Sequence, residues 1–354
     1  MIIYSKSSNL NPAAIGKLET PIKMIIEHES DLLTKKGGIC SYLFNVEKSH
    51  RFGETIVGQN EFSVFKATDE GEGAEGDTVR ETYSKFIEHI QFMKEFTITA
   101  EMMEDANYGV AADAKRRAEN FARAYYKTIN KICEVALCKA TQSVYTYANA
   151  PLDLTVADGK PLFNSSHSYG KNGSGALGTQ PNFFWGDIFS KGADGARVAS
   201  ATVFEEALGE LAIKLRNMKD ENGEPLGYTA DTIILPGNRP IAESIAKKVC
   251  GSYGTLSNAT NEINIQYGNW NIVIMPGWQS DDDRVMIMSS EANKNLAGNM
   301  FFNRVPLTVS NWVDHHTGNY VWNGRCRFGV GFGSYKHILL AVDSAKEITN
   351  ARQL

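Results

Sequence analysis

Asp69–Asp77, which reads DEGEGAEGD, separates two segments with strand character and decides how the first third of the chain folds. It carries five carboxylates and three glycines in nine residues, so its charges repel one another and it has nothing to bury. The flanking segments Gly53–Phe65 and Val79–Thr99 are rich in Thr, Val, Ile, Phe and Tyr, which predicts strands. We therefore predict an extended β-hairpin loop over residues 50–99 with a solvated tip.

A hairpin of this length needs additional packing, because an isolated two-stranded ribbon is only marginally stable in water. We expect a second copy of the chain to supply the missing surface, and a hairpin folded back on its own domain is the alternative. The ribbon residues that we expect at such an intersubunit contact are Glu54, Phe62, Phe65, Lys66, Lys85 and Phe86.

One very long helix follows the hairpin. Small and apolar residues recur at spacings of three and four from Ala111 to Ala140, which places them on one stripe and predicts a helix over about 108–145. The stretch from Ala111 to Ala140 would span roughly 45 Å. Basic residues lie mostly off the apolar stripe and form a candidate basic face, with an ordinary solvated helix face as the equal alternative: Lys115, Arg116, Arg117, Lys127 and Lys131.

Composition indicates a folded globular chain and excludes several classes of protein. The 354 residues are 42% hydrophobic and 22% charged, and 36 basic against 41 acidic residues give a net charge of −5, so no global basic field favours nucleic acid. No run of apolar residues approaches the ~18 of a membrane span. The five cysteines are scattered without a C-x-x-C spacing, which favours a reducing compartment and neither a disulfide framework nor a zinc site.

The catalytic candidates are two histidine-containing segments. Asp314-His315-His316 could hold a metal, but adjacent histidines on a strand point to opposite faces. His167 has serine neighbours on both sides, yet sequence neighbours on a loop seldom form a catalytic triad. Since Walker, H-E-x-x-H and EF-hand spacings are also absent from the sequence, we assign no catalytic, cofactor-binding or metal residue and expect no enzyme and no cofactor.

The second half groups its strands instead of alternating them with helices, which predicts an α+β fold. Over residues 20–345 the order of parts resembles the major capsid proteins of tailed bacteriophages, the Hong Kong 97-type fold, and in particular Mu-like major head subunits. Three motifs carry the likeness: Asp158–Phe163 followed by His167, Leu235–Asn238 leading into a helix, and Gly324–Gly331 in the closing strands.

The resemblance implies a domain organisation and names for the parts already predicted. Residues 1–30 would be an N-terminal arm, 50–99 the extended loop, and the long helix the spine of a peripheral domain. That peripheral domain would take residues 31–49, 100–227 and 306–354, and an axial domain would take 228–305. Because the chain begins directly at its arm, we expect either no cleaved N-terminal scaffold segment or a separate scaffolding protein.

The resemblance also implies a function. Hexamers and pentamers of the chain would form an icosahedral shell that encloses double-stranded DNA in the virion, after assembly in the host cytoplasm. The expected partners are the chain itself, a scaffolding protein, a portal, a cement protein and weakly contacted DNA, with no membrane. Relatives that cross-link covalently need a paired lysine on the ribbon; neither Lys66 nor Lys85 has an evident partner, so we predict a non-covalent shell. The alternatives are an encapsulin-like compartment around a cargo enzyme and a metal-dependent hydrolase built on Asp314, His315 and His316.

Overall fold

The computed structural model describes residues 23–26, 28, 37–59, 65–71, 73, 76, 81–101, 110–169, 178–193, 196–251, 264 and 266–354. The chain divides into two compact units. One unit contains residues 1–38, 89–131 and 303–328, and the other contains 39–88, 132–302 and 329–354. The predicted arm, 1–30, lies almost wholly outside the described residues.

The helices of the described chain include one that is far longer than the others. In chain order they are α1 (Ile39–Leu43), α2 (Val110–Cys138), α3 (Ala201–Arg216), α4 (Pro240–Gly251) and α5 (Ser290–Asn295). We call α2 the spine helix. It ends seven residues before the predicted boundary, because a turn at Lys139–Gln142, with the Gln142 amide donating to the Lys139 carbonyl, leads directly into a strand at Val144. None of the described helices is long and apolar enough to cross a membrane.

The strands account for most of the remaining regular structure. In chain order they are β1 (Asn45–Lys48), β2 (Gly53–Gln59), β3 (Glu81–Glu88), β4 (Ile90–Ile98), β5 (Val144–Tyr147), β6 (Ala150–Asp153), β7 (His167–Tyr169), β8 (Gly178–Gln180), β9 (Phe183–Gly186), β10 (Ser190–Lys191), β11 (Val198–Ala199), β12 (Thr232–Pro236), β13 (Asn271–Met275), β14 (Arg284–Met288), β15 (Asn299–Val313), β16 (Tyr320–Phe332), β17 (Ile338–Asp343) and β18 (Arg352–Gln353). Mixed helix and grouped strand content confirms the predicted α+β class.

A six-stranded sheet in the order β13-β12-β14-β17-β9-β18 forms the core of the larger unit. The apolar faces of α3 and α4 pack with it, and the buried cluster includes Phe204, Leu208, Leu211, Ile245, Ile233, Leu235, Ile287 and Leu339. This sheet joins the segment predicted as axial, 228–305, to segments predicted as peripheral. It pairs β14 with β17, and β17 with β9, from segments assigned to the peripheral domain. Such long-range pairings leave no local trace in the sequence.

In the smaller unit, the spine helix packs against a sheet. Phe121 on the helix belongs to a buried cluster with Tyr320 and Trp322 of β16, and Phe96 of β4 stacks on Trp322 at 5.4 Å between ring centroids. Gly324 permits the close approach, since a Cβ there would lie 2.5 Å from the Phe121 ring. The predicted apolar stripe of the spine helix is thus a packing surface.

The hairpin is shorter than predicted. Strands β2 and β3 pair antiparallel, with Gly53 opposite Glu88 and an irregularity at Gly58/Gln59. The predicted second strand breaks at the buried His89, and its continuation, β4, pairs with β16. The described strands of the two-stranded ribbon are therefore Gly53–Gln59 and Glu81–Glu88, and the segment Ile90–Ile98 of the predicted hairpin pairs elsewhere. Strand propensity reports an extended backbone but not which strand becomes the partner, so the change of partner was not visible in the sequence.

Candidate functional surfaces

The base of the ribbon packs on its own unit through one of its two faces. On that face, Ile56 and Ile87 belong to a buried cluster with Met300 and Phe302. The opposite face, which carries Thr55, Val57, Ser84 and Phe86, is exposed. The sequence left open whether the hairpin packs on its own domain or on a second copy of the chain. One face of the ribbon packs on its own unit, and the other face is exposed.

Lys85 holds the packed face in place. Its side chain is only 9% exposed, and its Nζ lies 2.5 Å from Asp153 Oδ2 and 2.6 Å from Thr155 Oγ1. Partial burial alone would raise the pKa of Asp153, but the hydrogen bonds from Lys85 and Thr155 lower it below its usual value. The Lys85 ammonium, predicted as an intersubunit contact, is thus engaged within its own subunit.

The other predicted contact residues of the ribbon differ in exposure. Phe65 is fully exposed, at 100%, and Phe86 is 50% exposed with its ring stacked on that of Phe52 at 6.5 Å. Glu54 accepts a hydrogen bond from Ser49 Oγ at 2.7 Å. Phe62 lies outside the described residues, and Lys66 is exposed. The exposed aromatic rings Phe52, Phe65 and Phe86 are the ribbon features best suited to bury against another molecule.

A row of cations occupies the solvent side of the spine helix. In its part with described side chains, 115–138, the exposed positions are Lys115, Arg116, Asn120, Arg123 and Lys127. At 100° per residue, Arg116, Arg123 and Lys127 lie within about 40° of one another around the helix axis. We call these three residues the basic stripe. Glu119 lies beside it, half-buried and 4.0 Å from Lys115.

The basic stripe overlaps only in part with the basic face predicted from sequence. Arg116 and Lys127 belong to it, whereas Arg117 is half-buried and its Nη1 donates to the Thr97 carbonyl at 3.0 Å. Lys131 is also half-buried. Arg123 was missed, although its spacing of seven from Arg116 and four from Lys127 could have identified it.

Asp314-His315-His316 forms a turn in which both oxygens of the Asp314 carboxylate accept hydrogen bonds from the turn itself. Asp314 Oδ1 accepts from the His316 amide at 3.0 Å, and its Oδ2 accepts from Thr317 Oγ1 at 2.7 Å. The hydrogen bond from Thr317 lowers the pKa of Asp314. Both histidines are exposed, and among the described residues no three His, Cys, Asp or Glu side chains cluster as metal ligands. The tripeptide serves as turn structure.

His167 is a buried structural residue. Its Nδ1 lies 2.7 Å from Asp158 Oδ2, its Nε2 lies 3.1 Å from the Leu162 carbonyl, and its ring stacks on Tyr335 at 3.9 Å. Burial alone would raise the pKa of Asp158, but the hydrogen bond and charge of His167 lower it. Because both ring nitrogens are engaged, His167 closes the loop that follows β6 and is not placed to activate a neighbouring serine.

Comparison with known proteins finds similarity only at the level of structure. No protein-family model matches the sequence, and no curated protein matches it. A chain from the capsid of Myoviridae phage XM1 superposes with a TM-score of 0.51 at 14% identity, over 87% of this chain and 92% of that one. The capsid of an empty GTA particle gives a TM-score of 0.47 at 14% identity, covering 87% and 90%. Mycobacterium phage Patience gives 0.48 at 13% identity, covering 98% and 91%.

The match to the XM1 capsid chain confirms the fold expected from the sequence. The chain has a Hong Kong 97-type fold with an extended β-hairpin and a long spine helix. At 14% identity the likeness establishes the fold and not the activity.

Proposed function

We propose that this chain is the major capsid protein of a tailed bacteriophage. In this proposal it assembles into hexamers and pentamers of an icosahedral shell that encloses double-stranded DNA. The observation that carries the proposal is the fold shared with a chain from the capsid of phage XM1 across 87% of this chain. The virion is then its destination and the host cytoplasm the place of assembly.

The exposed aromatic side chains on and beside the ribbon support self-assembly. Phe52, Phe65 and Phe86 expose at least half of their surface, and large exposed aromatic side chains favour burial against a partner. A shell made of one kind of subunit supplies that partner as the neighbouring copy. We therefore propose that the exposed ribbon face contacts an adjacent subunit within a hexamer or pentamer.

The engagement of Lys85 supports a shell held by non-covalent contacts. A lysine that forms an intersubunit covalent bond must present its amine to the neighbour. Here the amine is bound to Asp153 and Thr155 of the same chain. We propose that Lys85 positions the ribbon, and that the further partners of the shell are a scaffolding protein, a portal and a cement protein.

Sedimentation velocity of the purified chain over a concentration series tests the proposal. We expect species of capsomer size or larger. The assemblies recovered from the experiment should contain this polypeptide alone. Nucleic acid in assemblies recovered from expressing cells would agree with a genome container, whereas a co-purified enzyme at fixed stoichiometry would indicate a cargo compartment. A strictly monomeric chain at every concentration, with and without a candidate scaffolding protein, would contradict the proposal.

A further inference from the structure

Two thiols that are distant in the sequence meet in the folded chain. Cys40 lies on α1, and Cys133 lies in the last turns of the spine helix. Their side chains hydrogen-bond to each other, and both residues are present as thiols and not as a disulfide. Because the contact joins distant segments, the scattered spacing of the cysteines could not predict it.

The environment of this thiol pair differs from that of two other buried cysteines. Cys326 Sγ donates to the Phe92 carbonyl at 3.7 Å, and Cys250 packs in the apolar cluster beneath α4. Burial raises the pKa of both thiols to about 11, which is typical of inert packing residues. Among the described residues no group of three His, Cys, Asp or Glu side chains can hold a metal ion. The chemistry open to two contacting thiols is therefore oxidation to a disulfide.

Cys40 is the thiol of the pair that a small oxidant reaches first. It keeps 6% of its surface exposed, whereas Cys133 is fully buried. Burial, and then the neighbouring Cys40, raise the pKa of the Cys133 thiol well above its usual value, so Cys133 keeps its proton at neutral pH. Helix α1 has only five residues, and so short a helix depends on its tertiary contacts and opens at little cost. An oxidant as small as hydrogen peroxide therefore meets Cys40 before Cys133.

We propose that Cys40 and Cys133 form a disulfide on exposure to hydrogen peroxide, and that this bond ties α1 to the spine helix and stabilises the fold. In the first step the Cys40 thiol loses its proton and its sulfur attacks one peroxide oxygen. The O–O bond breaks, giving a sulfenic acid on Cys40 and one water. In the second step the Cys133 sulfur bonds to the Cys40 sulfur, the S–O bond breaks, and hydroxide leaves with the Cys133 proton as a second water. The two sulfurs lose two electrons, which reduce both peroxide oxygens to water.

The position of the bond in the chain explains the stabilisation. It closes residues 40–133 into one loop that contains both ribbon strands, β2 and β3, and also β4. A disulfide restricts the unfolded chain, and in the chain-entropy model the effect grows with the length of the closed loop. Only the use of the bond rests on the proposed function: a reducing host cytoplasm keeps the thiols reduced during assembly, and the bond forms once the virion has left the cell.

The test exposes the purified full-length chain to hydrogen peroxide, blocks the remaining thiols with iodoacetamide in denaturant, and maps the peptides by mass spectrometry. We expect two fewer blocked thiols than the five of the untreated chain, and one pair of peptides joined through Cys40 and Cys133. Cys133→Ala should form no such link. Cys250→Ala removes another buried thiol as the matched control and should form the link as the wild type does.

Thermal unfolding of the same samples measures the effect of the bond. The oxidised wild type should unfold about 3–10 °C above the reduced wild type, and Cys133→Ala should show no such rise. Three results would overturn the inference: Cys40 recovered as a sulfinic acid without a link, a link through Cys138 in place of Cys133, or equal unfolding temperatures for the linked and reduced chains. Because the link is mapped in the wild type, the test does not depend on the folding of a variant.

Sedimentation of the reduced wild type separates this inference from the proposed function. Normal assembly without a Cys40–Cys133 link after oxidation would refute the disulfide and leave the shell function standing. A linked chain that never assembles would refute the shell function and leave the disulfide standing.

Discussion

Lys85 Nζ lies 2.5 Å from Asp153 Oδ2 and thereby joins the ribbon to the β5–β6 hairpin. The two residues are separated by 68 positions in the chain, so the pair is a tertiary contact that fixes where the ribbon begins. It lies on the face that packs on the subunit's own unit, opposite the exposed Phe86. The chain thus anchors one face of its ribbon and leaves the other accessible.

Asp153→Asn should weaken this anchor. The substitution removes the charge that neutralises a buried ammonium, but Thr155 remains and the Asp153 side chain is 55% exposed, so solvent screens the loss. We expect a decrease of about 1 kcal/mol in the free energy of unfolding. Guanidinium titration of the purified chain measures it. Asp281→Asn, at an exposed position, is the control, and equal stability of the two variants would show that the pair does not anchor the ribbon.

His337 should make stability depend on pH in mildly acidic solution. Full burial lowers its pKa to about 3, so between about 3 and its ordinary value near 6.5 the unfolded chain binds a proton that the folded chain does not. The contribution of His337 to the free energy of unfolding is therefore fully present above about pH 6.5. It is lost as the pH falls below that, by at most about 1.4 kcal/mol per pH unit.

The measurement for His337 is the free energy of unfolding from pH 7.5 downwards for wild type, His337→Gln and His50→Gln. Gln can still donate to Asn299 Oδ1, which His337 Nε2 contacts at 2.9 Å, but it takes up no proton on unfolding. We expect a shallower pH dependence for His337→Gln than for wild type. The exposed His50 is the control and should leave the slope unchanged, so parallel curves for all three proteins would contradict the prediction.

Two glycine substitutions should have opposite effects. In Gly324→Ala the new Cβ would lie 2.5 Å from the Phe121 ring, and we expect overpacking to reduce the free energy of unfolding by about 1–3 kcal/mol. In Gly209→Ala the new Cβ meets nothing within 4 Å inside α3, so greater helix propensity should stabilise the chain by up to about 1 kcal/mol. Thermal unfolding of both variants reports the signs. Stabilisation by Gly324→Ala would refute the packing described for the spine helix, and destabilisation by Gly209→Ala would refute the open space described in α3.

The exposed aromatic side chains on and beside the ribbon should matter for assembly and not for folding. Phe65→Ser changes a fully exposed residue, so we expect the free energy of unfolding to stay within about 0.5 kcal/mol of wild type. Sedimentation should nevertheless show fewer or smaller assemblies. Ile213→Ser, at a 55% exposed position on α3, is the matched control for loss of surface hydrophobicity. Equal assembly by both variants would remove Phe65 from the proposed intersubunit contact.

The sequence predicted the parts of the fold that depend on local patterns. The recurrence of apolar residues identified the spine helix, because one face of any packed helix repeats every three or four residues. The carboxylates and glycines of Asp69–Asp77 located the tip of the ribbon, and the described tip residues are exposed. Both features follow from residues close together in the chain.

Features that depend on distant residues were missed. The strand that begins after His89 has the same composition as the ribbon, and only its pairing with β16 separates it from β3. Similarly, the pairing of Lys85 with Asp153 could not be predicted, because the local sequence around each residue contains no information about the other. His167 was recognised as structural from the sequence. Its contacts with Asp158, Leu162 and Tyr335 were not, because they depend on how the loop folds.

Negative-stain electron microscopy of the purified chain, alone and with a candidate scaffolding protein, tests the proposed function most directly. We expect closed shells, tubes or rings of capsomer size, with fewer closed shells when Asp69–Asp77 is deleted. Compact monomeric particles under both conditions, from a chain that is folded by circular dichroism, would contradict it.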